Sequence, residues 1–297
     1  MKYVCSVKEF LKCYFDQKFN YTLDKLDFAH NANLDYLLWD ELKNFCNDNL
    51  QNDAELYALL SDMHRFGKGV DKNEKVADVL LMQGVKRRSL FCKNKLANQM
   101  IDKGLVTFDF GDAFFLLSEC EKAGFLPAIN NLAWMYIKGC GIKKDRQKAI
   151  DLYKQAMDGG SVFATYNYGL CLVEEDNQDG IRFIKKAAEA GYCVAQNYLG
   201  KWHYDQNQYA QAYEWFKKSA IGGNAHAFKN LGEMYHNGNG VQQNDDMAVF
   251  CFHQSVLHGN DNAKRHIARV LCKEEQIFDD VFDAKNNLPD DYVSDDE

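Results

Sequence analysis

Proline is almost absent from this chain, with 2 residues in 297. Such scarcity suits a chain built of uninterrupted helices. Long apolar runs are also missing. No stretch approaches the roughly 18 consecutive apolar residues of a membrane helix, so no membrane insertion is expected. The opening Met1-Lys2-Tyr3-Val4-Cys5-Ser6-Val7-Lys8-Glu9-Phe10 lacks the apolar run of about 7 or more that a secretory signal needs. An excess of positive charge is missing as well. The 35 basic side chains are outnumbered by 43 acidic ones, a formal charge of −8, so nucleic acid is not an expected partner. Ten cysteines are present, but no two lie closer than eight residues. That excludes Cys-x-x-Cys and the structural zinc spacings built on it. The expected state is therefore reduced thiols in a cytoplasmic protein, with most of the cysteines acting as small core residues. With 46% apolar residues, the chain has material for a sizeable core, and disordered or collagen-like classes are excluded.

The negative charge is not evenly spread. Residues 274–297 hold ten acidic side chains and one basic, Lys285, which leaves residues 1–273 at a net +1. The acidic character thus belongs to a C-terminal tail. Within it, Ile277, Phe278, Val281 and Phe282 fall on one helical face. This patterning predicts a helical continuation of the cap over 274–285, with docking onto a partner or into the groove as alternatives, and a dispensable segment after it.

The body of the chain repeats itself. Gly124, Gly160, Gly191, Gly223 and Gly259 are each followed four residues later by Ala128, Ala164, Ala195, Ala227 and Ala263. Eleven residues before each glycine stands a small residue: Ala113, Ala149, Gly180, Ala212 or Ala248. The alanine-to-alanine steps are 36, 31, 32 and 36. A weaker form of the pattern extends back through Cys92 to Leu56. Periods of this size indicate stacked supersecondary units.

Each unit reads as two helices. In the first, an apolar and a small residue follow the alanine by four and five positions: Leu132-Ala133, Tyr168-Gly169, Leu199-Gly200 and Leu231-Gly232. In the second, apolar pairs such as Leu152-Tyr153 and Trp215-Phe216 follow the small residue by three and four. Asn73, Asp109, Asp145, Asp176 and Asn244 stand four residues ahead of that small residue and are the expected N-caps. The recurring glycine is expected to end the helix in a left-handed conformation, with Arg88 in its place in the first unit. Gly67-Lys68-Gly69-Val70, Gly139-Cys140-Gly141-Ile142 and Gly238-Asn239-Gly240-Val241 join the two helices. They follow a helix, not a strand, and lack the Lys-Ser/Thr of a phosphate loop, so they read as turns.

The Leu-Gly-x-x-Tyr run, the alanine of the second helix and a period in the thirties resemble tetratricopeptide (TPR) repeats. The 36-residue period and the Gly-x-Gly-Val linker resemble the Sel-one-like repeat (SLR) family more closely, best over Ala227–Gly259. The resemblance implies an all-α fold, a right-handed α-α superhelix of about six helix pairs. The expected layout is an N-terminal helical cap over 1–53, six repeats over 54–259, a capping helix over 260–273 and the tail over 274–297. Caps are needed because each repeat offers an apolar face to the next.

Catalytic signatures are missing: no His-Glu-x-x-His, Gly-x-Ser-x-Gly, P-loop or Ser-x-x-Lys of a serine β-lactamase. The expectation is a non-catalytic protein without cofactor or metal. The alternative is a hydrolase-like enzyme of the β-lactam-binding kind found among relatives, for which Lys201, Glu233 and His236 offer a loose titratable cluster. Five of eight histidines lie between His226 and His266. Of these, His226, His258 and His266 could share one rim, although their spacing matches no recognised metal pattern.

Function is therefore expected on the concave face of the array. By analogy with tetratricopeptide arrays, positions two, six and nine after the anchor residue line it. They are Asn94, Asn98 and Ile101; Asn130, Trp134 and Ile137; Tyr166, Leu170 and Val173; Asn197, Lys201 and Tyr204; and Lys229, Glu233 and His236. Carboxamides can pair both groups of an extended peptide backbone, and Trp and Tyr are frequent binding hot spots. The predicted ligand-binding residues are Asn94, Asn130, Trp134, Tyr166, Asn197, Lys201, Tyr204 and His236. A protein or peptide partner is expected along the third to fifth units, bound by an adaptor or a toxin-neutralising immunity protein. Trp202 and Trp215 are assigned to the core.

Overall fold

Small residues at fixed intervals let helices approach closely, and within each compact unit they bring helices adjacent in sequence together. The computed structural model describes residues 36–102 and 110–272, together with Leu11 and Phe15. Among these residues there are fourteen helices and no strand. The chain forms two compact units, 1–195 and 196–297. The first contains α1 (Tyr36–Asn49), α2 (Leu56–Phe66), α3 (Glu74–Lys86), α4 (Leu90–Asp102), α5 (Phe110–Lys122), α6 (Leu126–Lys138), α7 (Arg146–Asp158), α8 (Val162–Val173) and α9 (Asp179–Glu189). Helix α10 (Cys193–Asp205) continues into the second unit, which adds α11 (Tyr209–Ile221), α12 (Ala225–Asn237), α13 (Asp245–Leu257) and α14 (Ala263–Cys272). The fold is all-α, as the repeat pattern predicts. The acidic tail with its apolar quartet, the N-cap Asp109 and most of the N-terminal cap fall outside the described residues.

Even-numbered helices α2 to α12 carry the first-helix pattern, and α3 to α13 carry the second. The anchors Ala128, Ala164, Ala195, Ala227 and Ala263 are all fully buried, as are Ala113, Ala149, Ala212 and Ala248. Gly232 shows why a side chain is excluded there, since an added Cβ would lie 2.6 Å from the Phe252 ring. Buried Leu117, Tyr153, Ile184, Phe216 and Phe252 supply the large half of this small-on-large packing.

Caps follow the expected chemistry where the connecting loop is long. Asn73, Asp145 and Asn244 accept hydrogen bonds from the backbone N–H of Val76 (3.1 Å), Lys148 (2.9 Å) and Met247 (2.9 Å). Asp176 does not cap. The shortened loop before α9 forces it to a left-handed φ of 55°, and Gln178 occupies the N-cap position without a side-chain bond. Ser161 and Asn224 also cap first helices, a role the sequence pattern does not announce.

The Gly-x-Gly turns owe their second glycine to packing as well as conformation. Gly141 has φ 69°, and a Cβ there would sit 2.3 Å from the Cβ of Phe110. Gly69 meets Trp39 and Gly240 meets Tyr209 in the same way. Trp39 therefore occupies in α1 the place that Phe110 and Tyr209 occupy in α5 and α11. Helix α1 is built like the second helix of a repeat that precedes α2.

Arg88 adopts the left-handed conformation itself, with φ 65°. A non-glycine residue is strained there by about 1–2 kcal/mol, and glycine recovers part of that while adding unfolded-chain entropy. Arg88→Gly is expected to stabilise the protein by about 0.5–1 kcal/mol, read as a raised thermal midpoint. A lowered midpoint would show that the long side chain has a packing role the turn depends on.

Candidate functional site

Where one first helix meets the next, a buried polar side chain must find a partner. The chain meets this demand with asparagine. Asn131 of α6 donates from Nδ2 to Asn94 Oδ1 (2.9 Å) and Asn98 Oδ1 (2.8 Å) of α4. Asn167 of α8 donates to Asn130 Oδ1 of α6 at 2.8 Å. In the second unit, Asn230 of α12 donates to Asn197 Oδ1 of α10 at 2.9 Å. Lys95 of α4 pairs with buried Asp62 of α2 at the corresponding seam. In each case the residue three places after the anchor reaches back to the preceding first helix, forming a polar ladder between repeats. Glu55 adds a second tie between the first two helix pairs. It accepts from Ser89 Oγ (2.7 Å) and the Phe91 N–H (3.1 Å).

The ladder changes the role of three predicted ligand residues. Asn94 is 2% exposed and Asn130 7%, and their oxygens, like that of Asn197, are held by the neighbouring carboxamide. Position two lies at the seam, so Asn94 and Asn130 are buried and join one repeat to the next. The donors Asn131, Asn167 and Asn230 escape a reading confined to positions two, six and nine. Their signal was present in the sequence as an asparagine recurring three residues after the anchor.

Positions six and nine behave differently. Asn98, Ile101 and Trp134, together with Asp102 and Asn131, line a surface depression of about 220 Å³ between α4 and α6. Trp134 is 36% exposed. Asp102 follows Ile101 at the end of α4, ten residues after its anchor, where Glu174 and Asp205 stand in two later repeats. Tyr166 of α8 is half-buried, its ring edge-on to Tyr192 at 5.3 Å. In the second unit, Lys201 is exposed, and the Tyr204 hydroxyl accepts from Asn239 at 2.6 Å. His236 Nδ1 lies 2.8 Å from Asp245 Oδ1 at the start of α13. Trp202 and Trp215 are half-buried and not core residues. The indole of Trp215 lies under Lys218 Nζ, 4.6 Å from the ring centre, and Trp202 packs edge-on to His203.

Among the described residues, His258, His266 and the five buried cysteines serve packing. His258 stacks on Phe228 at 4.9 Å and His266 on Phe252 at 5.0 Å, whereas His226 is exposed. No group of three or more His, Cys, Asp or Glu among the described residues is placed to hold a metal. Glu233 pairs with Lys229 (3.4 Å) and His266 (3.8 Å) while His236 turns to Asp245, so Glu233 and His236 are engaged with different partners. Burial pushes the Cys92 thiol up to about 12 and Cys251 to about 11, which suppresses the reactive thiolate.

Two consequences can be measured. Asn131→Ala removes the donor shared by Asn94 and Asn98 and leaves Asn94 Oδ1 buried. The expected loss is about 1–3 kcal/mol, whereas a loss below 0.5 kcal/mol in chemical denaturation would contradict a structural ladder. The second consequence concerns pH. Burial lowers the pKa of both His258 and His266 from the ordinary 6.5, and for His266 this outweighs the opposing pull of Glu233. The unfolded chain therefore binds more protons just below that value, and stability present above pH 6.5 is lost as pH falls through it. The thermal midpoint should drop between pH 7.5 and 5.5, and a His258→Gln, His266→Gln double variant should drop less. An unchanged slope would exclude these two rings as the source.

Comparison with known proteins gives a consistent picture. The Sel1 repeat matches residues 54–77, 126–161, 164–192, 193–224 and 229–260, more than half of the chain. The interval 78–125 is unmatched, yet α4 and α5 fall within it. The DAP3-binding cell death enhancer 1 proteins of Rattus norvegicus and Mus musculus are 29% identical over 184 residues. That alignment covers 58% of this chain, which spans only 36% of the length of those curated relatives. Among solved structures, a protective antigen of uropathogenic Escherichia coli displaying an SLR fold superposes with a TM-score of 0.57 at 22% identity, covering 86% of this chain and 56% of the antigen. A Pseudomonas aeruginosa immunity protein, Pa5087, reaches 0.51 at 25% identity, over 61% of this chain and 70% of its own. Five matched segments, set in helix pairs that follow the repeat's order, identify this chain as a member of the Sel1 repeat family.

Proposed function

We propose that this protein is a non-catalytic interaction scaffold that binds a protein or peptide through its first helices, centred on α4 and α6. The observation that carries this reading is the depression at Trp134. A large indole is left 36% exposed beside carboxamides and an apolar side chain, the combination from which binding hot spots are made. Sel1 repeat proteins generally mediate protein binding, and the rat and mouse relatives are named for binding DAP3. Such a name supports a protein partner in general and assigns none to this chain. The similarity to an immunity protein favours a toxin-neutralising role within the same binding class. The hydrolase alternative draws no support from Glu233 and His236, which are held by separate partners.

A cytoplasmic location fits this reading. No helix among the described residues is long and apolar enough to cross a membrane. Cys46, Cys92, Cys120, Cys171 and Cys251 are buried free thiols, a state compatible with a reducing compartment.

The test is affinity capture from the source cell followed by mass spectrometry, with the wild-type chain and a Trp134→Ala, Tyr166→Ala variant. The specific partner should bind the folded variant about tenfold more weakly or worse. Undiminished capture by a variant that keeps its helical signal and cooperative melt would overturn the proposal.

A further inference from the structure

The depression beside Trp134 is too small for an extended ligand to enter whole. At about 220 Å³ it lies below the roughly 300–1,000 Å³ of small-molecule pockets, and it matches a single long side chain. Its polar lining is biased. Both Nδ2 hydrogens of Asn131 are directed at Asn94 and Asn98, and its Oδ1, which accepts from Asn130 Nδ2 at a long 3.4 Å, has one lone pair left for the depression. Asn98 Oδ1 keeps one open lone pair. Asp102 contributes the only formal charge of the five lining side chains, and it is exposed at the end of α4. An anionic ligand group would meet that carboxylate unfavourably. A planar cation with several N–H donors would pair with it and with the carboxamide oxygens.

Elsewhere the chain sets its own cations over aromatic rings, two of them buried and one half-buried. Tyr57, Tyr136 and Trp215 are covered by Arg87, Lys148 and Lys218, at 5.3, 4.7 and 4.6 Å from the ring centres. Lys218 stands three residues after Trp215. The residue three places after Trp134 is Ile137, which packs against the core. Among the described residues no cation lies over the Trp134 ring, so that place is open to an incoming one.

We propose that the Trp134 depression is a specificity pocket for one arginine side chain of the bound peptide. The guanidinium stacks on the indole and donates to the Asp102 carboxylate, with Asn98 Oδ1 and Asn131 Oδ1 as further acceptors. Arginine fits better than lysine because its planar fork can stack and pair with a carboxylate at once. The proposal rests on the peptide-binding reading above and adds the chemistry of the residue recognised.

A random-peptide phage library selected on the full chain separates the two ideas. Enriched peptides should share an arginine at a fixed position and should lose binding to Trp134→Ala. In a synthetic copy of the best peptide, replacing that arginine with citrulline keeps the shape and removes the charge. It should weaken binding about fivefold or more, and Asp102→Asn should weaken the arginine peptide by a similar factor. The two changes together should add little beyond either alone, because they remove one shared interaction. Peptides that need Trp134 but carry no fixed arginine, or that bind equally well as citrulline forms, overturn the arginine pocket and leave the peptide reading intact. A selection yielding no Trp134-dependent peptide overturns both. Asp102 is exposed and terminal in its helix, so its substitution leaves folding unaffected.

Discussion

Everything in this molecule depends on how closely the two helices of a pair approach. A Cβ added at Gly169 would lie 2.8 Å from the carbonyl oxygen of Gly180, and one at Gly200 would lie 2.4 Å from the Phe216 ring. Backbone meets backbone in the first case and an aromatic face in the second. Neither arrangement tolerates a larger residue, because packed interiors have no room to relax around an extra methyl group. The anchors one turn earlier are alanines with no exposed surface. Such contacts set the pair as a unit, and the pair then fixes which positions of the first helix face the core, the next repeat and the solvent.

At the seam between first helices the chain places carboxamides where an all-apolar contact would also have packed. An asparagine ladder is directional, since each donor needs its acceptor at one height along the neighbouring helix. Paired in this way, buried polar groups contribute modestly to stability but penalise any slipped stacking that leaves one unmatched. The ladder also decides which first-helix side chains stay accessible. Asn94 and Asn130 are withdrawn into the seam, while Asn98, Ile101 and Trp134 of the same helices line the depression and Ile137 packs against the core. Asp102 lines the same depression.

Much of this was legible in the sequence because it is periodic. The alanine anchors, the Gly-x-Gly turns and the second-helix pairs recur at intervals that only stacked helix pairs explain, and Asn73, Asp145 and Asn244 cap as their spacing demands. The ladder donors Asn131, Asn167 and Asn230 are periodic too and were passed over, but most of what escaped lacks that regularity. Asp176 sits in a shortened loop whose geometry its neighbours dictate, so a rule taken from the longer loops fails there. Trp202 and Trp215 have core-like residue types, but one indole lies under Lys218 and the other edges onto His203. The groove prediction included Trp134, which lies 36% exposed at the α4–α6 depression, and treated position two as open, because the lateral reach of the following repeat is a property of three dimensions. Asp102 stands ten residues after its anchor, as Glu174 and Asp205 do after theirs, but its place beside Trp134 emerges only from the depression it lines.

The central claim is that the first-helix asparagines are structural while the Trp134 surface meets the ligand. It is tested most directly by side-chain amide and indole NMR spectra of the full chain, recorded free and saturated with a peptide selected on it. The account predicts that the Trp134 indole and Asn98 carboxamide resonances move on binding. The Asn167 and Asn230 carboxamides should stay in place and resist exchange with solvent in both states. Ladder carboxamides that exchange freely and shift with the peptide, beside an unmoved Trp134, would contradict it.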